Sequence, residues 1–261
     1  MARGVLLDID GVLTVSWRPL PGAADTVEWL RDHGIGFRLV TNTSSRTRHE
    51  IAALLADARM PVGSDHILTA VTSAAAYLTE HHAGAGCFVL NEGDLGEGLT
   101  GVPLADASSA EVVLLGGAGP GVGYRELDAV FKLATAGVPV IALHRNTRFQ
   151  TAEGPALDMG AFILGLEAAA GIEIPVVGKP AEAFYRAALA DLGSDADGCV
   201  MVGDDIGSDV VGAQEWGLTG VLVRTGKFRP SDLDGSHGRP DHVIDDIGGL
   251  PVLLEALDPP A

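Results

Sequence analysis

Two aspartates stand two residues apart at the end of an apolar run near the start of the chain. The run VLLDIDGVL covers residues 5–13 and contains Asp8 and Asp10, followed by Gly11. Neighbouring carboxylates repel each other and lose hydration inside a protein, so we expect a cationic group close to them. The alternative is a strand that runs into a turn, in which Asp and Gly serve as turn residues.

Three further stretches also place polar side chains directly after an apolar, strand-like run. They are VTNTS with Thr41 and Asn42, VGKP with Lys179, and VGDDIGSD with Asp204, Asp205 and Asp209. In open parallel sheets, ligands bind outside the carboxyl ends of the strands. Four such strand ends therefore predict one site rather than four unrelated turns.

The acids of this predicted site suit a metal ion. Asp8, Asp10 and Asp204 offer hard oxygen ligands, which Mg²⁺ prefers, with water completing its octahedral shell. One aspartate can then attack a phosphorus atom and form an aspartyl-phosphate. A second can protonate the leaving oxygen and later deprotonate the attacking water.

The remaining groups of the predicted site suit a phosphate. Thr41 and Asn42 supply hydroxyl, amide and backbone donors, and the helix predicted from Arg46 onward adds its positive N-terminal end. Lys179, one of only three lysines in the chain, adds a point cation that neutralises phosphate. We therefore predict Mg²⁺ as the cofactor and a small phosphorylated compound as the substrate.

The elements that must position these residues alternate between strand-like and helix-like stretches. Runs rich in Val, Ile and Leu, such as EVVLLGG, PVVGK and CVMVGDD, alternate with stretches of helical apolar spacing, such as residues 23–33 and 181–192. Continuous apolar strands between helices indicate parallel sheets covered on both faces. We predict an α/β protein with a Rossmann-like three-layer core built on a parallel sheet.

The predicted strands are too many for one sheet in a chain of 261 residues. Residues 71–175 have their own alternation of strands and helices, and they lack the acidic strand ends found on both sides. We therefore predict a catalytic core formed by residues 1–70 and 176–261 and an inserted, smaller α/β cap domain formed by residues 71–175.

Composition and charge exclude several classes of partner. The formal net charge is −18, and no basic patch of the kind that nucleic-acid-binding proteins carry is visible. The acidity would also repel anionic membrane surfaces, and no apolar stretch approaches the roughly 18 residues of a membrane span. Cys87 and Cys199 lie in apolar runs without a CxxC pair, which is typical of a reducing compartment. We predict a cytoplasmic protein without nucleic-acid or membrane partners.

The stretches DIDGVLT, TNTS, GKP and GDDIGSD, in this order, resemble the four motifs of the haloacid dehalogenase-like phosphatases. Asp8 and Thr41 lie 33 positions apart, whereas Asn42 and Lys179 lie 137 apart, so the insertion falls between the second and third motifs. That arrangement resembles the subgroup with a class 2 cap, which includes the NagD-like enzymes. The stretches ALHRNTRFQTAEGPALDMGAF and VRTGKFRPSD are also similar to the branch that contains the phospholysine phosphohistidine inorganic pyrophosphate phosphatases and their sister hydrolase-domain-containing proteins.

The resemblance implies which acids react and which bind the metal. Asp8 is then the nucleophile and Asp10 the general acid/base. Asp8, the backbone carbonyl of Asp10 and Asp204 would bind Mg²⁺. Asp209 would orient Lys179 or the waters on the metal, and Asp205 would be a polar neighbour.

The resemblance also implies the groups that bind the substrate. Thr41 and Asn42 would hold the phosphate, and Lys179 would bridge the phosphate and the nucleophile. Arg145 follows the apolar VPVIAL, in a part of the cap that faces the core in this family. One hypothesis is that Arg145 or its neighbours contact the leaving group of the substrate, and a surface loop without such a contact is an alternative of similar weight.

Two other functions fit part of the pattern. A carbon–halogen hydrolase also uses an aspartate nucleophile, but it needs neither a metal nor Asp10. A non-catalytic, receiver-like phosphoacceptor also combines Asp, Thr and Lys, but it is about half this length and lacks the insertion. The sequence leaves open whether P–O, P–N or pyrophosphate bonds are cleaved, and a homodimer through the cap rests on family precedent.

Overall fold

The computed structural model describes residues 4–151 and 153–257 of the chain. The strands are β1 (Gly4–Asp8), β2 (Thr14–Val15), β3 (Arg18–Pro19), β4 (Phe37–Thr41), β5 (Ile67–Thr69), β6 (Cys87–Leu90), β7 (Val112–Leu115), β8 (Val140–Ala142), β9 (Arg148–Thr151), β10 (Gly154–Leu157), β11 (Cys199–Gly203), β12 (Thr219–Val223) and β13 (His242–Ile244). The α-helices are α1 (Ala23–Asp32), α2 (Arg48–Asp57), α3 (Ala70–His81), α4 (Tyr124–Thr135), α5 (Met159–Ala170), α6 (Glu182–Leu192), α7 (Gly212–Gln214) and α8 (Leu250–Leu257). A π-helical segment, Ile206–Val211, leads directly into α7.

A six-stranded parallel sheet forms the centre of the molecule, in the order β13-β12-β11-β1-β4-β5. Side chains of a strand alternate between the two faces of its sheet. Along β1, Val5 and Leu7 accordingly join the core cluster that includes residues of α1, α2 and α8, whereas Leu6 packs with Phe184 and Tyr185 of α6. Because both faces are covered by helices, the predicted α/β class and three-layer core are confirmed.

A second, three-stranded parallel sheet, in the order β6-β7-β8, lies between β5 and β11 along the chain. Its middle strand β7 is buried throughout. Val112 and Leu114 face a cluster that includes α3 residues, and Val113 and Leu115 face a cluster that includes residues of α4 and α5. The second sheet is therefore covered by helices on both faces and has a hydrophobic core of its own.

The starts of two helices are fixed by side chains next to the predicted site. Thr47 accepts a hydrogen bond from the Glu50 backbone, and the Glu50 carboxylate accepts one from the Thr47 backbone, which forms a capping box at α2. Asp158 caps α5 by accepting from the Met159 backbone, and it also accepts from the Ala118 backbone. These caps define where the loops before α2 and α5 end.

The predicted strand PVVGK is wrong. Residues 175–179 form only one isolated bridge, between Val176 and Ala142. The segment runs beside β8 through three backbone hydrogen bonds, but Pro175 has no backbone N–H and can only accept. A regular ladder therefore does not extend.

Two short hairpins were not predicted. β9 and β10 pair in an antiparallel ribbon where the sequence indicates a loop, and β2 pairs with β3. In the β2–β3 turn, Ser16 and Trp17 have φ angles of 49° and 61°. Positive φ at both central residues is the requirement of the type I′ hairpin turn.

Among the described residues, no helix has the length and apolar character needed to cross a membrane.

Candidate active site

One large cavity, of about 440 Å³, lies at the carboxyl ends of β1, β4 and β11. A volume of this size is typical of small-molecule sites. Its lining comes from the central sheet and from the insertion, and includes Asp8, Thr41, Lys179, Asp204, His144 and Phe149. The four polar stretches singled out in the sequence therefore meet in one place, although the one that carries Lys179 does not follow a regular strand.

Lys179 joins two aspartates at the base of this cavity. Its Nζ lies 2.7 Å from Oδ1 of Asp8 and 2.7 Å from Oδ1 of Asp209, and all three side chains are buried. Burial alone would lower the pKa of Lys179, but Asp209 and Asp8 raise it above its usual value. Burial raises the pKa of Asp8, and Lys179 opposes that shift. The ammonium therefore stays charged and supports ionised carboxylates beside it.

Asp204 is held so that one of its oxygens has no protein partner. Its Oδ2 accepts a hydrogen bond of 2.7 Å from the Lys227 backbone, whereas its buried Oδ1 has no hydrogen-bond partner among the described residues. A Cβ at Gly11 or Gly226 would lie about 2 Å from the Asp204 carboxylate. Only glycines let the two backbones approach this closely. Burial raises the pKa of Asp204 well above its usual value.

Asp204 forms a cluster with two other buried carboxylates, those of Asp8 and Asp209. One ligand oxygen each from Asp8, Asp204 and Asp209 lie within 4.8 Å of one another, and all three residues are buried. Buried carboxylates at this spacing need a cation, and hard oxygen donors suit a divalent metal. The residues present thus fit a metal ion of the Mg²⁺ type. Asp209, expected from the resemblance to orient Lys179 or the waters on the metal, contacts the Lys179 Nζ at 2.7 Å and also contributes an oxygen to this cluster.

Asp10 takes a different position from the three clustered acids. Its Oδ2 accepts a hydrogen bond of 2.7 Å from the Thr43 hydroxyl, and Asp10 lines the cavity. The turn that follows is closed by a hydrogen bond from the Gly11 backbone to Thr14. The carboxylate therefore points into the cavity beside Asp8 with its orientation set by Thr43.

Asn42 holds the backbone of Lys179. Its Oδ1 accepts from the Lys179 backbone N–H at 2.9 Å, and its Nδ2 donates to the Lys179 carbonyl at 3.1 Å. The Thr41 hydroxyl oxygen accepts from the Thr43 backbone at 2.9 Å. Both residues line the cavity as predicted from the sequence, and both also fix the loops that carry Lys179 and Thr43.

Lys227 is a site residue that the sequence reasoning missed. Its Nζ lies 3.6 Å from Oδ2 of Asp205. Burial lowers the pKa of Lys227, but the neighbouring acids raise it by more, so the net pKa lies above its usual value. Asp205 also accepts from the Gly207 and Ser208 backbones and so caps the π-helical segment. The signal was present in the sequence, because Lys227 is one of three lysines and follows a strand end.

The structure does not bring Arg145 to the cavity. Its guanidinium donates to Glu167 of α5 at 2.9 Å and to the Ile174 carbonyl at 3.2 Å. The flanking residues His144 and Asn146 line the cavity instead. His144 is buried, and burial lowers its pKa, so it presents a neutral imidazole.

Comparisons with known proteins match this geometry. A family model described as haloacid dehalogenase-like hydrolase matches residues 5–104, and a second HAD-hydrolase-like model matches residues 176–250. The human haloacid dehalogenase-like hydrolase domain-containing protein 2 is 33% identical over 252 residues, which cover 94% of this chain and 95% of that protein. The chain belongs to the haloacid dehalogenase-like hydrolases. The rat phospholysine phosphohistidine inorganic pyrophosphate phosphatase is 33% identical and covers 98% of this chain and 96% of its own.

Solved structures narrow the position of the chain within this family. The p-nitrophenyl phosphatase from Archaeoglobus fulgidus superposes with a TM-score of 0.88 at 31% identity over 98% of this chain and 99% of its own. NagD from E. coli K-12 superposes with a TM-score of 0.82 at 26% identity over 94% and 97%. A glycerol phosphate phosphatase from Mycobacterium tuberculosis in complex with calcium has a TM-score of 0.84 at 25% identity over 95% and 74%.

The haloacid dehalogenase-like protein is a phosphatase of type IIA, the NagD-like type. This assignment decides against the carbon–halogen hydrolase and the receiver-like module. Phosphatases of this family generally use a divalent metal, and the glycerol phosphate phosphatase structure contains a bound divalent metal, calcium.

Proposed function

We propose that the chain hydrolyses small phosphorylated compounds in a Mg²⁺-dependent reaction through a covalent aspartyl-phosphate on Asp8. One observation carries the proposal. The buried Asp8 carboxylate contacts Lys179 at 2.7 Å and lies beside the acids Asp204 and Asp209, at the wall of a cavity that Asp10 also lines. This arrangement supports the proposal that a nucleophile, a proton carrier and a cation site act side by side.

The first half of the reaction transfers the phosphoryl group. An oxygen of Asp8 attacks phosphorus, and the bond from phosphorus to the leaving oxygen or nitrogen breaks. Asp10, in its protonated form, donates its proton to the leaving atom. Lys179 restrains Asp8 and neutralises charge on the phosphoryl oxygens.

The second half returns the enzyme to its starting state. Water attacks the phosphorus of the aspartyl-phosphate and loses a proton to the Asp10 carboxylate. The bond between phosphorus and the Asp8 oxygen breaks, which releases phosphate and restores the carboxylate. Thr43 holds Asp10 in one orientation for both proton transfers.

Asp8, Asp204 and Asp209 supply the side-chain oxygens that would hold the metal, and the backbone carbonyl of Asp10 stays a prediction as a further ligand. When bound, Mg²⁺ supplies charge stabilisation to the carboxylates and to the phosphoryl oxygens. We propose that Thr41, Asn42 and the N-terminus of α2 present donors to the phosphate.

The substrate class follows from size and from the relatives. A cavity of about 440 Å³ suits a small substrate. The relatives are named for p-nitrophenyl phosphate, phospholysine, phosphohistidine and inorganic pyrophosphate, so P–O, P–N and pyrophosphate bonds are all candidates. We further propose that residues 71–175 act as a cap that closes this cavity on a core of residues 1–70 and 176–261. A cytoplasmic location and a homodimer stay predictions.

Turnover of p-nitrophenyl phosphate tests the proposal directly. We expect release of p-nitrophenolate with Mg²⁺, loss of release in a chelator, and recovery when Mg²⁺ is added back. Asp8→Asn keeps the shape of the side chain but removes the nucleophile, so kcat falls by at least about a thousandfold. Phosphoprotein analysis of the acid-quenched wild type should find the phosphoryl group on Asp8.

The exposed Asp197 provides the matched control. Asp197→Asn makes the same chemical change far from the cavity, and its kcat should equal that of the wild type. Measurable turnover retained by Asp8→Asn, with Asp197→Asn normal, would contradict the covalent mechanism. Full activity in the chelator would contradict the metal requirement alone.

A further inference from the structure

A second, smaller cavity of about 170 Å³ opens beside the active-site cavity. Phe149, Gly226 and Lys227 line both cavities, so the two are neighbours with a shared wall. The second cavity is also lined by Arg148 of β9 and by Arg229. The second cavity is therefore adjacent to the leaving group of a phosphate ester that binds in the active-site cavity.

The second cavity is cationic in a strongly acidic protein. Three of its seven lining residues are Arg148, Lys227 and Arg229, and no carboxylate is among that lining. The whole chain has 17 basic and 35 acidic residues, so an acid-free group of three cations departs from the general surface. A local positive site in an acidic protein selects anionic groups.

The two arginines of this cavity have no anionic partner of their own. Within residues 4–151 and 153–257, neither the Arg148 nor the Arg229 guanidinium forms an ion pair. The Asp232 carboxylate accepts a hydrogen bond from the backbone N–H of Arg229 rather than from the Arg229 guanidinium. Lys227, in contrast, faces Asp205. The guanidinium groups are thus available to a ligand.

We propose that this cavity is a subsite for a second anionic group on the leaving group of the substrate. The inference rests on the proposed phosphatase function and specifies its substrate class. Guanidinium groups bind carboxylates and phosphates in a planar, bidentate geometry. The Phe149 ring, which faces both cavities, packs against the carbon chain that joins the two anionic groups. The preferred substrate is then a phosphomonoester with a carboxylate or a second phosphate at its other end.

Two matched substrate pairs test the subsite on the wild-type enzyme with Mg²⁺. The first pair is 3-phosphoglycerate and glycerol 3-phosphate, which differ by a carboxylate in place of a hydroxymethyl group. The second pair is 1,3-propanediol bisphosphate and 3-hydroxypropyl phosphate. We expect kcat/KM, measured by phosphate release, to favour the member with the second anion by at least about tenfold in one pair or both. The pair that responds identifies the anion as carboxylate or phosphate.

Substitution of the arginines ties this preference to the cavity. Arg148→Ala and Arg229→Ala should each reduce the ratio of the two kcat/KM values by about tenfold, chiefly through KM for the member with the second anionic group. Arg148→Lys and Arg229→Lys keep the charge and should retain part of the ratio. Arg125→Ala removes an exposed arginine of α4 with its side chain 94% accessible, and should leave the ratio unchanged.

The outcomes separate this inference from the proposed function. Suppose that the ratio of kcat/KM values is near one in both pairs while p-nitrophenyl phosphate is turned over normally. This result overturns the subsite and leaves the phosphatase mechanism intact. A preference that survives both alanine substitutions also overturns it. Absence of turnover for p-nitrophenyl phosphate and for all four substrates refutes the proposed function itself. If an alanine variant does not fold, the wild-type ratios decide the question.

Discussion

The Nζ of Lys179 lies 2.7 Å from Oδ1 of Asp8, and both side chains are buried. The two residues are 171 positions apart in the chain, and the whole second sheet, β6-β7-β8, lies between them along the chain. Asn42 clamps the Lys179 backbone with two hydrogen bonds, so the ammonium is fixed relative to the end of β1. This contact positions the proposed nucleophile before any substrate enters.

Loss of this ammonium should destabilise the metal-free protein. Lys179→Met keeps most of the side-chain volume but leaves Asp8 and Asp209 buried without their shared partner. Removing one partner of a buried pair costs several kcal/mol, which corresponds to a fall in Tm of about 10 °C. Differential scanning calorimetry in a chelator at neutral pH measures it.

A surface lysine supplies the control for this experiment. Lys132 pairs with Asp128 on the exposed face of α4, and Lys132→Met should change Tm by less than about 2 °C. Addition of Mg²⁺ should recover part of the loss in Lys179→Met, because a cation at the acid cluster replaces the missing charge. Equal Tm values for the two variants would show that Lys179 does not stabilise the cluster.

The role proposed for Asp10 predicts that, without its carboxylate, the first product is released much faster than the aspartyl-phosphate is hydrolysed. In Asp10→Asn, p-nitrophenolate leaves readily without a proton donor, but the aspartyl-phosphate loses the base that activates water. We expect kcat to fall roughly 100- to 10,000-fold, with a pre-steady-state burst of about one p-nitrophenolate per active site. Stopped-flow absorbance measures the burst.

The identity of the leaving group provides the internal control for Asp10. An alkyl phosphate has a poor leaving group, so Asp10→Asn should slow both steps for it and abolish the burst of product. If Asp10→Asn gave no burst with p-nitrophenyl phosphate and the same fall in kcat for both substrates, Asp10 would act only on the binding or the orientation of the substrate.

Much of the fold and the core of the site follow from local sequence signals. The strand ends at Asp8, Thr41 and Asp204 are predictable because each apolar run is short and ends in a polar residue, and because parallel strands share one carboxyl edge. The order of the sheet then brings these ends together, with β1 between β11 and β4.

Other features depend on packing that no local signal encodes. Which of His144, Arg145 and Asn146 faces the cavity is set by Glu167 of α5, which binds Arg145 from the opposite side. Asp209 reaches the cluster of buried acids from a π-helical segment, and the regular 3.6-residue period does not predict that geometry. The role of the Lys227 backbone depends on the close approach of Gly226 to Asp204.

The pH dependence of stability tests the acid cluster without any substrate. Burial raises the pKa of Asp209 to about 6, although Lys179 opposes the shift. A carboxyl with a raised pKa in the folded state stabilises the protein below its unfolded pKa, and this contribution is lost as pH rises through about 6. The metal-free wild type should therefore lose stability between about pH 4 and 7 relative to a variant that cannot ionise there.

Asp209→Asn is that variant. In a chelator, its free energy of unfolding minus that of the wild type should increase by roughly 3 kcal/mol between about pH 4 and 7.5, because only the wild type loses stability as this carboxyl ionises. Urea unfolding at several pH values measures the difference, with Asp197→Asn as the surface control. Saturating Mg²⁺ should shrink or reverse the difference at pH 7.5, because the cation favours the ionised carboxylate. A stability difference that is independent of both pH and Mg²⁺ would mean that the pKa of Asp209 is not raised by burial and that Asp209 does not lie close to the metal.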